Sequence, residues 1–250
     1  MSAAFWVQLR RELSAFLFSP LAYVLLFLFS LVTAAIFWVN VLEVARGPQL
    51  YGIMQRFFLS AFYWFCIVTL IPVITMRLFS EEYRAGTIEM LLTAPVLEWD
   101  IVLAKFFAGV FMYILLWAPT AIYFLAFQVI TDFTIPVQWA ALGLCYLMVL
   151  LIGMFYVSVG VFASSLSSNQ IISAVITFTF ISLMLFLPSA FTQDADADKI
   201  NQVRYFFSPY HMWEFARGTF DTRPVIFHLS GTMLFLTLTY GNLISRKFKS

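Results

Sequence analysis

Residues 133–193 read FTIPVQWAALGLCYLMVLLIGMFYVSVGVFASSLSSNQIISAVITFTFISLMLFLPSAFTQ, 61 positions without Asp, Glu, Lys, Arg or His. A helix crossing an apolar layer of about 30 Å needs about 20 residues. The stretch is too long for one crossing, so it must hold two. They fold back at the polar cluster Ser164-Ser165-Leu166-Ser167-Ser168-Asn169-Gln170. The apolar residues run continuously, whereas strands of an outer-membrane barrel would alternate over about 10 residues. The crossings are therefore helices.

Working outward, residues 13–42, 57–76 and 106–131 are also free of charge, and 224–245 is interrupted only by His228. The sequence therefore predicts an all-α polytopic membrane protein. Its six transmembrane helices fall at roughly 20–41, 57–76, 103–130, 138–163, 170–190 and 224–244, in a single transmembrane domain over 1–250. Composition agrees: 62% of residues are hydrophobic, 30 are Phe and only 11% are charged, against about 25% in a soluble domain. A soluble enzyme and a disordered chain are both excluded. The net charge of +1 gives no reason to expect nucleic acid. Cys66 and Cys145 lie inside apolar runs and read as packing residues. No cleavable signal peptide is evident, because apolar residues precede as well as follow Arg10 and Arg11.

An even number of crossings puts both ends on one side. Arg10, Arg11, Arg246, Lys247 and Lys249 against Glu12 make that side cytoplasmic. In the N-terminal segment, Phe5, Trp6, Leu9, Leu13, Phe16 and Leu17 recur at helical spacing, with Gln8, Arg11 and Glu12 largely opposite. This predicts an interfacial amphipathic helix, separated from the first span at Pro20. Residues 193–223 open with Asp194, Asp196 and Asp198 and turn aromatic from Tyr205, which suits short extracytoplasmic helices at the interface. Asp221 or Thr222 can cap the last span, with Pro224 in its first turn.

Much chemistry is missing. Proton relays and ion-coupled carriers use ionisable groups at depth; the first five spans are read as having none, and His228 stands alone near one face. There is no H-E-x-x-H, G-x-S-x-G or G-x-x-x-x-G-K-[ST]. The acidic loop at 194–198 lacks the Gly and Glu of a calcium loop, with Lys199 and Tyr205 in their places. No metal site, no cofactor and no catalytic residue is expected in this chain. Any energy source must sit on a partner.

The loop after the second span is the informative one: Arg77-Leu78-Phe79-Ser80-Glu81-Glu82-Tyr83-Arg84-Ala85-Gly86-Thr87-Ile88-Glu89-Met90-Leu91-Leu92-Thr93-Ala94-Pro95. Arg77 and Glu81 are placed to pair four residues apart. Gly86 can end a first short helix in the left-handed region. Thr87 can cap a second helix, whose short apolar face is Ile88, Leu91 and Leu92, and Pro95 stops it. Such a helix beneath a bilayer fits a groove on a soluble partner, or packs on lipid headgroups as a solvated loop.

These residues resemble the E-x-x-x-G-T-x-E-x-L-x-x-x-P string of ABC-2-type permeases, the membrane subunits of one group of ATP-binding-cassette transporters. Glu82, Gly86, Thr87, Glu89, Leu91 and Pro95 match it. The strings Ile74-Thr75-Met76-Arg77, Phe162-Ala163-Ser164-Ser165-Leu166 and Arg217-Gly218-Thr219-Phe220-Asp221 are similar to the gliding-motility-type branch. The resemblance implies an exporter permease of a bacterial inner membrane that pairs with a second permease chain around a substrate path. It implies ABC ATPase subunits that carry the ATP and Mg, and a companion subunit with an extracytoplasmic domain. It makes Arg77, Glu81, Glu82, Arg84, Gly86, Thr87, Glu89, Leu91, Leu92 and Pro95 the ATPase-coupling residues. Ser167, Ser168, Asn169 and Gln170 become a second cytoplasmic contact. The rival readings are a non-transporting membrane scaffold that anchors a partner, and a secondary carrier.

Overall fold

The computed structural model describes residues 3–46, 52–88, 90, 96–131, 137–190 and 206–247. The principal helices are α1 (Ala3–Leu17), α2 (Pro20–Ala45), α3 (Ile53–Leu59), α4 (Ala61–Thr75), α5 (Ser80–Ala85), α6 (Glu98–Ile130), α7 (Trp139–Leu166), α8 (Gln170–Ala190), α9 (Ser208–Ala216) and α10 (Thr222–Lys247). No strand occurs among the described residues. Six helical stretches are long and apolar enough to cross a membrane: α2, α4 continued through α5, α6, α7, α8 and α10.

Local chemistry sets the breaks. Pro20 opens α2, where a missing N–H costs nothing. The second crossing starts later than the sequence predicts, since residues 57–59 belong to α3. Ser60 ends that helix in an extended conformation, and its hydroxyl accepts from the Tyr63 backbone N–H to cap α4. The turn between α7 and α8 is also shorter than the polar cluster. Ser164 and Ser165 are buried inside the end of α7, because their hydroxyls find partners there. Asn169 then caps α8, its Oδ1 accepting from the Ile171 N–H at 2.9 Å.

Three crossings form the centre. In their most apolar windows α4, α6 and α7 are 67%, 67% and 72% buried, against 17% for α2, 22% for α8 and 28% for α10. Glycines let the central helices close up. A Cβ at Gly160 of α7 would lie 2.1 Å from Thr75 Oγ1 of α4, and one at Gly153 would lie 2.2 Å from the Tyr113 ring of α6. Neither contact is compatible with a side chain unless its neighbour shifts.

The bundle has two polar ends. At the base, α1, α5, the start of α6, the ends of α7 and α10 and the start of α8 converge. The opposite end carries α3 and α9. There Gln55 donates to the Ala216 carbonyl at 3.2 Å, and Phe37, Phe57, Phe58 and Phe124 pack ring against ring.

Candidate functional site

The base is built around a lysine. Lys105, in the second turn of α6, is 1% exposed. A buried ammonium is costly unless it is paired. Its Nζ donates to Glu12 Oε1 of α1 at 2.9 Å and lies 3.1 Å from Glu82 Oε1 of α5. Arg11 closes the cluster from outside, donating to both carboxylates. The Phe79 ring lies 5.1 Å from the ammonium. Three helices distant in sequence are thus held by one set of charges.

This arrangement corrects three expectations. The helix at 3–17 turns Glu12 inward with Phe5, away from the solvent side, because Lys105 needs its counter-charge. The crossing at 98–130 does carry a buried ionisable group, Lys105, one turn inside its charged start. Arg77 and Glu81 make no ion pair with each other; the carboxylate that pairs is Glu82, and its partners are Arg11 and Lys105.

A second knot joins the two predicted contact regions. Ser164 Oγ, near the end of α7, accepts from the backbone N–H groups of Phe79 and Ser80 at 2.9 and 3.1 Å. Ser80 Oγ lies 2.7 Å from Ser173 Oγ of α8. All three serines are buried. The loop after α4 and the turn between α7 and α8 therefore share one hydrogen-bonded foundation. The end of α10 is tied in as well. Asn242 donates to the Ser165 carbonyl at 2.7 Å, Arg246 to the Leu166 carbonyl at 3.0 Å, and Lys247 to Glu98 at 2.6 Å.

From this foundation a short surface projects. Gly86 ends α5 at φ 69° and ψ 8°, a conformation that favours glycine. The Thr87 backbone N–H returns to the Glu82 carbonyl at 3.1 Å, and its hydroxyl is directed to the same oxygen. Glu81, Arg84, Gly86, Thr87 and Met90 are exposed, while Ile88 tucks inward. Ser168 and Asn169 are exposed, with Ser167 and Gln170 half-buried. Glu89, Leu91, Leu92 and Pro95 lie outside the described residues.

The sequence reading missed Lys105, Glu12, Arg11, Ser80 and Ser173. The available signal was a lone lysine at the edge of a 26-residue uncharged run, residues 106–131. A cation there must either reach water or find a carboxylate.

The far end differs. His228 Nδ1 donates to the Pro224 carbonyl at 2.8 Å, which leaves Nε2 to accept from Ser208 Oγ at 3.5 Å. The Tyr156 hydroxyl meets Ser208 Oγ at 3.0 Å. His228 is therefore not alone: His211 of α9 lies beside it, ring centroids 5.5 Å apart, and both are buried. Burial pushes the His211 imidazole down to about 4 from its ordinary 6.5, against the opposing pull of Asp221. Asp221 also accepts from the Arg223 N–H at the start of α10. Among the described residues no group of three or more His, Cys, Asp or Glu is placed to hold a metal.

Six helical stretches long and apolar enough to cross a membrane, with polar groups at both ends of the bundle, define a multi-pass membrane protein. The family model described as ABC-2 family transporter protein matches residues 10–240, and the chain belongs to that family. No curated protein matches it.

Proposed function

We propose that the chain is the permease subunit of an ATP-driven ABC transporter, an exporter of the gliding-motility-type branch. In this reading two permease chains enclose the substrate path, and separate ABC ATPase subunits supply ATP and Mg. A companion subunit with an extracytoplasmic domain completes the complex. Both termini and the base lie on the cytoplasmic side of the inner membrane, with α1 along the interface. The family match supports the class. The wide exposed faces of α2 and α8 leave room for a second chain.

The observation that carries the coupling role is the shared foundation beneath residues 81–90 and 167–170. Glu82 and Ser80 are spent on holding α5 to α1, α6, α7 and α8. Glu81, Arg84, Gly86, Thr87 and Met90 stay exposed beside Ser168 and Asn169. A push on this surface is transmitted to several crossings at once, since the contacts beneath it are buried and charged. Glu89, next to Ile88, supplies a carboxylate for a basic or amide group on the ATPase.

Co-purification of the ATPase, with ATP hydrolysis measured in nanodiscs, tests this. Glu89→Ala is expected to leave the permease inserted and abundant. Its ATPase binding should fall by about tenfold, as for a truncated interfacial charge pair worth about 1–3 kcal/mol. Gly86→Val should be worse, because a β-branched residue is strained at positive φ. Normal co-purification and normal coupled turnover for both variants would refute the assignment. A membrane scaffold without transport predicts that outcome.

A further inference from the structure

A cavity of ≈ 350 Å³ lies beside the ion cluster, between α1, the start of α2, the end of α4 and α6. One side is charged: Arg11, Arg77 and Lys105 against Glu12, Glu81 and Glu82. The other is apolar and includes Phe16, Leu21, Leu25 and Val73. Ser19 and Leu21 place it at the level where the first crossing begins.

The charges balance in number but not in pairing. Lys105 and Arg11 occupy Glu12 and Glu82. Arg77 and Glu81 remain, without an ion pair to each other or to any other described residue. The Arg77 Nε and the Glu82 Oε2 are buried without a hydrogen-bond partner. Buried donors and acceptors in folded proteins are nearly always satisfied, so an orphaned pair beside one cavity calls for a bound group. The group must offer an acceptor to a guanidinium and a donor to carboxylates, and it must tolerate an apolar wall.

We propose that this cavity binds the headgroup of a zwitterionic aminophospholipid. The phosphate sits on Arg77, the ammonium on Glu81 and Glu82, and an acyl chain follows the wall of Phe16, Leu25 and Val73. A guanidinium fork matches phosphate oxygens. A primary ammonium has three N–H donors for the carboxylates, whereas a quaternary one has none. An anionic headgroup would satisfy Arg77 but bring no cation to Glu81 and the Glu82 Oε2. The proposal rests on the membrane-spanning fold and not on the transport reading.

Native mass spectrometry of the full chain in detergent tests it. Dioleoylphosphatidylethanolamine, dioleoylphosphatidylcholine and dioleoylphosphatidylglycerol are added in equal amounts. The wild type is expected to retain the ethanolamine lipid about tenfold better than the other two, as for the loss of one charge-assisted hydrogen-bonded contact. Arg77→Gln should lower that retention about tenfold. Arg77→Lys, which keeps the charge, should retain part of it. Glu81→Gln, a change at an exposed carboxylate that leaves the ion cluster intact, should erase the preference for ethanolamine over choline. Equal retention of the three lipids by the wild type overturns the proposal. So does undiminished ethanolamine-lipid retention by folded Arg77→Gln, or by Glu81→Gln. Free phosphoethanolamine raising the thermal midpoint as much as the lipid does would assign the cavity to a soluble ligand and overturn the lipid claim.

Discussion

At the base of the bundle, three charged side chains, Arg11, Glu12 and Glu82, meet around Lys105; at the far end, a buried cluster of neutral polar groups runs from Tyr156 through Ser208 to His228, with His211 alongside. Both clusters are buried and both tie together parts of the chain distant in sequence. They respond to different insults. A buried ion cluster is sensitive to the loss of any one member, because what remains is an unpaired charge. A neutral hydrogen-bonded cluster is sensitive to gaining a proton, because burial disfavours the charged form. The base thus suits a part that must stay in one piece when pushed. The far end has charges too, such as the Arg56–Glu43 pair, but they lie outside this neutral cluster.

The largest effect is expected from Lys105→Met. It leaves Glu12 and Glu82 in a largely buried site with only the outer Arg11 between them, and should cost about 3–5 kcal/mol of stability. Denaturation in detergent, followed by intrinsic fluorescence, measures it. Adding Glu12→Gln and Glu82→Gln to the same chain should recover a substantial part, since the excess negative charge is then gone. A single variant as stable as wild type would show that the base is not held by charge.

Acidification probes the other end. His211 titrates near 4 when folded and near 6.5 when unfolded. Its neutral form is the one that is favoured in the native state. The resulting stabilisation is complete above about pH 6.5, falls as pH drops toward about 4 and declines no further below that. The whole step is worth about 3 kcal/mol. Stability measured at intervals between pH 7.5 and 4 should show that slope in the wild type, and His211→Phe should make it shallower, with buried His228 still in place. An unchanged slope in the variant would remove His211 from the account and weaken the contrast between the ends.

The six crossings were legible because charge-free runs of about 20 residues have few other meanings. The errors fell where a polar residue has two fates. Ser164 and Ser165 look like a solvent-facing turn in sequence, yet their hydroxyls are spent inside α7 on Phe79, Ser80 and the Phe162 carbonyl. Glu12 looks like part of an outer face, yet it points inward to a lysine 93 residues away. Phe57 belongs to the charge-free run of the second crossing, yet Ser60 cuts the helix after it. Helical periodicity reports which residues share a face and not what that face meets. The family-like string at 82–95 was legible as a pattern only; that its first glutamate is an internal ion-pair partner required the fold.

The smallest effect sharpens the comparison from within the base. Lys247 donates to Glu98 at 2.6 Å, which is as close as the buried contacts, and it likewise joins helices distant in sequence, α10 and α6. Distance alone would rank it with Lys105. Exposure separates them: the Lys247 side chain is 47% exposed and that of Lys105 1%. Water and salt screen an exposed pair, and ordering a long side chain offsets part of the gain. Lys247→Met should therefore cost about 0–1 kcal/mol, and the difference from wild type should shrink further in high salt. The Lys105 cluster should be little affected by the same salt, because screening ions do not enter it. A cost for Lys247→Met approaching that of Lys105→Met would mean that geometry rather than burial sets the strength of charge at this end.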